Sequence, residues 1–212
     1  MDPTERPESA LLADIDPTAV SILVDEDIHR PLGTGFYFLQ PHFFVTAKHV
    51  VMEKDTGSVL GNMVLMQNGP NYPKASVEYL HPTLDVAVLR IDHPGCAVPL
   101  FPSDQRIIGK HGLRYWGYAP SKSDKINHRY LVAVVDIPEY ECEEPRERHD
   151  GVEWVLRFSS DLSEPGHSGG PVLAAGGGVV ALITQGHDGW CRATEIRCLM
   201  PFVTMEFKAY AS

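Results

Sequence analysis

Short apolar or alternating segments recur along almost the whole chain, and clusters of turn-forming residues separate them. The turns at 40–42, 67–70 and 81–83 contain proline, or glycine beside asparagine, and these residues favour tight turns. Short alternating segments between such turns are typical of β-strands. We therefore predict strands at 20–24, 35–39, 43–49, 59–66, 76–80, 86–91, 113–118, 129–137, 152–158, 171–173, 179–185 and 195–200.

The predicted strands fall into two groups of about six, joined by a connector at 94–104. A chain of 212 residues is long enough to bury a sizeable core, and all-β units of this size are common. The acidic run at 139–150 is predicted to be an exposed loop, either a plain connection or a substrate-selecting or regulatory loop. A short C-terminal helix is expected over 202–209. The fold class is therefore all-β.

A glycine-rich turn surrounds Ser168, in the sequence GHSGGP at 166–171. Glycine allows positive φ and a close approach of backbone amides. A nucleophilic serine needs a hydroxyl that projects into a cleft, with N–H groups converging nearby on the developing oxyanion. The turn therefore predicts a nucleophile at Ser168.

Two upstream residues supply the other groups that serine catalysis needs. His49 follows the apolar run at 43–47, and Asp85 precedes an alternating apolar segment at 86–91. An imidazole must accept the hydroxyl proton, and a carboxylate must fix the imidazole tautomer and stabilise its charged form. We predict that His49, Asp85 and Ser168 are brought together by the fold.

The three motifs together resemble those of the chymotrypsin-like serine proteases of the trypsin superfamily. They are TAKHV at 46–50, DVAVL at 85–89 and GHSGGP at 166–171, in the order that the family uses. The resemblance covers roughly residues 18–207. It is closer to bacterial intracellular and HtrA-like peptidases than to secreted digestive enzymes.

The resemblance implies two six-stranded antiparallel Greek-key barrels with the active site in the cleft between them. A single peptidase domain would occupy residues 1–207, with one barrel at about 18–100 and the other at about 108–205. Residues 1–17 would form a polar N-terminal extension.

The activity implied is that of a serine endopeptidase acting through an acyl-enzyme. His49 would act as base, Asp85 would orient it, and the N–H groups of Gly166 and Ser168 would form the oxyanion hole. This mechanism requires no metal and no organic cofactor. Its partner is a protein or peptide substrate, and limited or regulated proteolysis is expected.

The resemblance also points to a specificity pocket without an acidic base. It places four residues along the substrate site: Leu162, Thr184, Gln185 and Gly186. Because Leu162 occupies the position where trypsin-like members carry aspartate, we expect a small or medium apolar residue at the cleaved position. Asp188 and Glu195 could reach the pocket from other loops, so a basic preference stays open.

The residue before the nucleophile departs from the zymogen pattern. Zymogens of the resembled family carry an aspartate there, which pairs with a newly cut amino terminus, whereas this chain has His167. No IVGG-type sequence precedes the first strand. The sequence therefore predicts an enzyme that is competent without N-terminal processing, or one gated by an activating protein partner.

The net charge and the hydropathy pattern limit which binding partners and which cellular location are expected. The formal net charge of −10 argues against nucleic acid, which is bound through clustered Lys and Arg. No apolar run is long enough for a membrane span, and the acidic N-terminus lacks the features of a secretory signal. We expect a cytoplasmic protein with no membrane partner.

The four cysteines are expected to be reduced thiols. Val50 stands where secreted family members usually carry a cysteine, and none lies at 162–167. Cys191 and Cys198, with His187 nearby, raise a metal site as an alternative, but paired CxxC spacing is absent from the sequence. The prediction is no metal.

Two other functional classes remain as alternatives. A catalytically silent binding module would keep the protease fold without turnover. An esterase of the α/β-hydrolase type would also carry a GxSxG sequence, but its serine precedes its acid and its histidine.

Overall fold

The backbone of this computed structural model is built almost entirely from antiparallel strands. The structure describes residues 15–27, 30–66, 72–103, 113–120, 130–137, 142–148, 151–157, 166–174, 176–187 and 190–202. Short 3₁₀ helices lie at Pro17–Ala19, Lys48–Val51 and Ile196–Leu199. Among the described residues, no helix is long and apolar enough to cross a membrane.

The first six strands close into a barrel. They are β1 (Val20–Asp25), β2 (Arg30–Phe38), β3 (Gln40–Thr46), β4 (Met63–Met66), β5 (Lys74–Leu80) and β6 (Ala87–Ile91). Each strand pairs antiparallel with two neighbours in the order β1-β2-β3-β6-β5-β4, and β4 returns to β1. The predicted six-stranded N-terminal barrel is confirmed, and its closure leaves no free sheet edge.

The first barrel is filled by aromatic and branched apolar side chains. Phe36, Phe44 and Leu89 are fully buried, and the rings of Tyr37 and Phe44 meet edge to face at 5.3 Å. Trp116, from the second half of the chain, belongs to the same buried cluster. The hydrophobic core is therefore continuous from the first barrel into the second half.

The second half forms a seven-stranded sheet. Its strands are β7 (Leu113–Pro120), β8 (Tyr130–Ile137), β9 (Cys142–Arg148), β10 (Gly151–Arg157), β11 (Pro171–Ala174), β12 (Val179–His187) and β13 (Trp190–Glu195). All their pairings are antiparallel, in the order β8-β7-β11-β12-β13-β10-β9.

The strand content of this half corrects two sequence predictions. The acidic run at 139–150, predicted to be a loop, contributes strand β9, which forms a hairpin with β10. The strand predicted at 195–200 was placed too late, because β13 ends at Glu195 and a 3₁₀ helix follows. The sheet therefore has seven strands where six were predicted.

The ends of the chain are only partly described. Ile15 joins the core of the first barrel, and the rest of the predicted extension before it lies outside the described residues. The backbone is helical at 200–202, whereas the remainder of the C-terminal helix expected over 202–209 lies outside the described residues.

Candidate active site

His49 sits in a short helical turn directly after β3. The turn Lys48–Val51 follows Ala47, and it is anchored because Val50 and Val51 are buried. The His49 side chain faces outward, with 48% of its surface exposed. The strand predicted at 43–49 therefore ends early, and the histidine is presented on a 3₁₀ turn rather than on the strand itself.

Asp85 holds His49 through both carboxylate oxygens. The His49 N–H donates to Asp85 Oδ1 at 2.8 Å, and Nδ1 lies 2.6 Å from Oδ2. The two residues meet because β3 and β6 are paired, with Thr46 opposite Ala87. An ionised carboxylate only accepts, so Nδ1 carries the proton and Nε2 is left as the basic nitrogen.

The loop that carries Asp85 is braced by His81. The ring Nδ1 of His81 accepts hydrogen bonds from the backbone N–H groups of Leu84 and Thr83, at 3.1 and 3.3 Å. The backbone N–H of His81 donates to Val86 O at 3.0 Å. Leu84 and Val86 are buried on either side of the aspartate. These contacts fix the carboxylate, which is 32% exposed, against the histidine turn.

Ser168 lies in a tight turn that needs its glycines. Gly166 and Gly169 have φ values of 107° and 89°, which side-chain-bearing residues rarely adopt. The turn is closed by Gly170 N–H donating to His167 O at 2.9 Å. Gly169 N–H donates to Ile183 O at 2.6 Å, which attaches the turn to β12.

The serine turn is also attached to the first barrel, close to His49. Thr34 N–H, from β2, donates to Ser168 O at 2.8 Å. A Cβ on Gly169 would clash with Thr34 O and Thr46 Oγ1 and would lie 3.0 Å from Ala47 N. Ala47 directly precedes the turn that presents His49, so the fold brings the serine turn beside the His49–Asp85 pair.

The Ser168 hydroxyl makes no hydrogen bond to the His49 ring among the described residues. Such contacts are often long in ligand-free enzymes and tighten only when substrate binds. Within the described ranges, the N–H groups of Gly166 and Ser168 also donate to no protein acceptor.

His167 lies beneath the turn rather than in the cleft. It is 2% exposed, and its Nδ1 is 3.2 Å from the hydroxyl of Tyr115, which is 1% exposed. The two rings meet at an interplanar angle of 63° with centroids 5.5 Å apart. A Cβ on Gly117 would lie 2.8 Å from the His167 ring, so β7 packs closely on it.

The four residues predicted for the substrate site are only partly described. Leu162 lies outside the described residues. On β12, Thr184 is buried and its hydroxyl donates to Arg192 O at 3.3 Å, whereas Gln185 is exposed. The Gly186 backbone pairs with Cys191. Of the two acidic alternatives, Glu195 ends β13 and Asp188 is outside the described part.

The thiols differ in exposure. Cys96 is exposed and unpaired, whereas the unpaired Cys191 is buried and Cys198 is partly buried. Burial raises the pKa of the Cys191 thiol, and burial together with Glu195 raises that of Cys198 to about 12. No cluster of three or more ligand-type side chains occurs in the part of the chain that the structure describes.

Sequence reasoning missed the residues that support the site, namely Thr34, Thr46, Tyr115 and His81. The signal for Thr34 was its position between Gly33 and Gly35, where flanking residues without side chains leave room for another segment. A Cβ on Gly33 would lie 2.9 Å from Ser168 O. Thr46 lies in the TAKHV motif, but no local pattern marks Tyr115 or His81.

The chain is similar to a known protein family over most of its length. The family model described as the trypsin-like peptidase domain matches residues 33–182. This range includes the His49, Asp85 and Ser168 motifs. No curated protein is similar enough to this chain to count as a match.

Solved structures share the fold at low sequence identity. The Rv3671c protease from M. tuberculosis, in its active form, is 19% identical with a TM-score of 0.63 and covers 95% of this chain and 91% of its own. The HtrA-type protease AlgW with a decapeptide is 15% identical with a TM-score of 0.66, covering 96% and 68%. The serine endoprotease from Yersinia pestis is 19% identical with a TM-score of 0.64, covering 95% and 67%.

Proposed function

Because this chain belongs to the trypsin-like peptidase family and is a serine peptidase, we propose that it hydrolyses peptide bonds through Ser168, His49 and Asp85. The observation that carries the assignment is the pair of hydrogen bonds that the His49 backbone N–H and ring Nδ1 make to the Asp85 carboxylate. A carboxylate held this way keeps the imidazole in the one tautomer whose Nε2 can accept a proton from serine.

The proposed reaction proceeds in two halves. His49 Nε2 takes the Ser168 hydroxyl proton while Oγ attacks the carbonyl carbon of the scissile bond. The N–H groups of Gly166 and Ser168 stabilise the oxyanion, and His49 then donates the proton to the departing amine. Water, activated by His49, hydrolyses the resulting acyl-enzyme and restores the serine.

We propose that the serine turn reaches its working geometry without a cut N-terminus. In the zymogen pattern a carboxylate before the serine binds a new ammonium group, whereas here the preceding residue is His167, buried against Tyr115. This arrangement supports either constitutive competence or gating by a protein partner. Activity that appeared only after N-terminal trimming would exclude both.

The proposal extends to the second sheet, the substrate and the cellular role. We propose that the seven-stranded sheet closes into a second barrel, and that Leu162, Thr184, Gln185 and Gly186 contact a substrate with a small or medium apolar residue at the cleaved position. A protein or peptide substrate is supported by the peptide bound to the HtrA-type neighbour. Limited proteolysis in the cytoplasm is the role that we propose.

The alternatives predict different results. The α/β-hydrolase type does not fit, because the sheet strands of the described residues pair antiparallel. A silent binding module would keep the fold and the His49–Asp85 contact but would not turn over or acylate.

Labelling with a fluorophosphonate probe tests the proposal directly. The purified full-length protein is compared with Ser168→Ala, and melting temperatures are measured for both. We expect labelling of the wild type alone, at equal stability, with the adduct mapped to Ser168 by mass spectrometry. Equal labelling of Ser168→Ala would remove Ser168 from its role, and absence of labelling in both would favour either a partner-gated enzyme or the binding module.

A further inference from the structure

The hydroxyl of Thr34 joins three separate elements of the fold. Thr34 is fully buried in β2. Its Oγ1 donates to Gly166 O at 2.6 Å and accepts the Tyr118 N–H of β7 at 2.9 Å. A threonine hydroxyl has one proton to donate, so the directions of these two bonds are mutually consistent. One side chain therefore links the first barrel, the second sheet and the serine turn.

The backbone of Thr34 holds the other end of the same turn. Its N–H donates to Ser168 O at 2.8 Å, and its own carbonyl accepts the Thr46 hydroxyl at 2.7 Å. Thr34 thus binds the carbonyl groups of Gly166 and Ser168, the two residues whose N–H groups are the proposed oxyanion donors. A single residue therefore fixes the turn through the carbonyl groups of Gly166 and Ser168.

The hydroxyl contact should restrict the turn more than the backbone contact does, because the residue that the hydroxyl binds is a glycine. Gly166 has φ 107° and no side chain to restrict it. Anchoring its carbonyl removes rotational freedom next to the N–H that would bind the oxyanion. Groups that are fixed before the reaction stabilise the transition state without reorganising.

We propose that Thr34 is a positioning residue for the oxyanion turn and acts through its hydroxyl on Gly166. The inference rests on the proposed function, since it assumes that the Gly166 and Ser168 amides bind the oxyanion. Thr34 itself touches neither the substrate nor the reacting atoms.

The matched variants are Thr34→Val, which keeps the shape but removes the hydroxyl, and Thr34→Ser, which keeps the hydroxyl but removes the methyl group. The readout is the second-order rate of fluorophosphonate labelling, with the melting temperature measured in parallel. Since a misplaced active-site group can lower rates by about a hundredfold, we expect Thr34→Val to label about 10- to 100-fold more slowly. Thr34→Ser should stay within about threefold of the wild type.

Two outcomes overturn the inference while leaving the proposed function intact. One is labelling of Thr34→Val at the wild-type rate. The other is an equal loss in Thr34→Val and Thr34→Ser with matching loss of stability, which would assign the effect to packing of the methyl group. A selective fall in kcat at nearly constant KM for a fluorogenic peptide would support positioning.

A second measurement does not depend on activity. The Tyr118 amide proton is bound to the Thr34 hydroxyl, so its exchange with solvent, followed by NMR, should accelerate in Thr34→Val but not in Thr34→Ser. Unchanged Tyr118 exchange in Thr34→Val would refute the bridge. If the wild type fails to label while the exchange pattern holds, the proposed activity without a partner fails and the contact stands.

Discussion

Replacing Tyr115 by phenylalanine should weaken the serine turn from below. The change removes one hydroxyl, which lies 3.2 Å from His167 Nδ1, and it keeps the ring that packs edge to face on the imidazole. Both side chains are almost fully buried. Solvent therefore has little access to replace the lost hydrogen bond, and little volume is removed.

The expected loss of stability follows from the burial of the pair. A buried polar atom that loses its partner costs about 1–3 kcal/mol, and we take about 2 kcal/mol for Tyr115→Phe. For a chain of 150–250 residues, each kcal/mol shifts the melting temperature by about 2–4 °C, so the expected fall is about 4–8 °C. Since His167 precedes Ser168, labelling by the fluorophosphonate probe should slow by about tenfold.

Calorimetry and labelling rates test this prediction against a matched change at the surface. Tyr72 is 52% exposed, so Tyr72→Phe makes the same chemical change where water replaces the hydroxyl. We expect that control to lie within about 0.5 kcal/mol of the wild type. If Tyr115→Phe melted within 1 °C (roughly 0.3 kcal/mol) of the control and labelled equally fast, the His167–Tyr115 contact would not support the turn.

Two further predictions concern the carboxylate and the thiols. Asp85→Asn should lower kcat on a fluorogenic peptide by about 10⁴-fold, because an amide cannot hold His49 in the same tautomer; a loss below tenfold would argue against the assigned role. Iodoacetamide at about pH 8 should modify the exposed Cys96 and spare Cys191 and Cys198. Burial raises the pKa of the Cys191 and Cys198 thiols, so both remain neutral at that pH. Rapid modification of Cys198, followed by peptide mass spectrometry, would contradict this.

The first barrel was predictable because its strands are short apolar or alternating runs that lie between turn residues. The prediction at 86–91 matches β6, and that at 76–80 lies within β5. The prediction at 59–66 was too long, since Gly61 and Asn62 interrupt the run and Val59 is exposed before β4 begins. These strands could be predicted locally because a short apolar run that is bounded by turn residues shows both the strand and its burial.

The second half was harder because tertiary pairing overrode composition. The residues of β9 include three glutamates and two arginines, a composition typical of loops, yet the segment pairs with β10. It is the terminal strand in the sheet order, and charged residues suit such a position because they oppose further pairing. Charge therefore did not indicate the strand conformation of this segment.

In the candidate site, too, some residues could be predicted from the sequence and others could not. The predicted proximity of His49 and Asp85 agrees with their hydrogen bonds, because both belong to motifs with local signatures. The catalytic roles of the two residues, and of Ser168, stay predictions. Thr34 and Tyr115 were missed because each acts on a residue far along the chain, and neither stands in a motif with the residue that it contacts.

The long separation between Thr34 and Gly166, 132 positions along the chain, has a consequence for synthesis. The closed barrel comes from a contiguous stretch ending at Ile91, so its six strands are made before the serine turn, whereas the buried cluster that fills it also needs Trp116 and Leu182. Thr34, in β2, is therefore made long before the serine turn that it binds. The proposed active site therefore cannot assemble until residues 166–168 have been synthesised, so the preceding part of the chain is made without it.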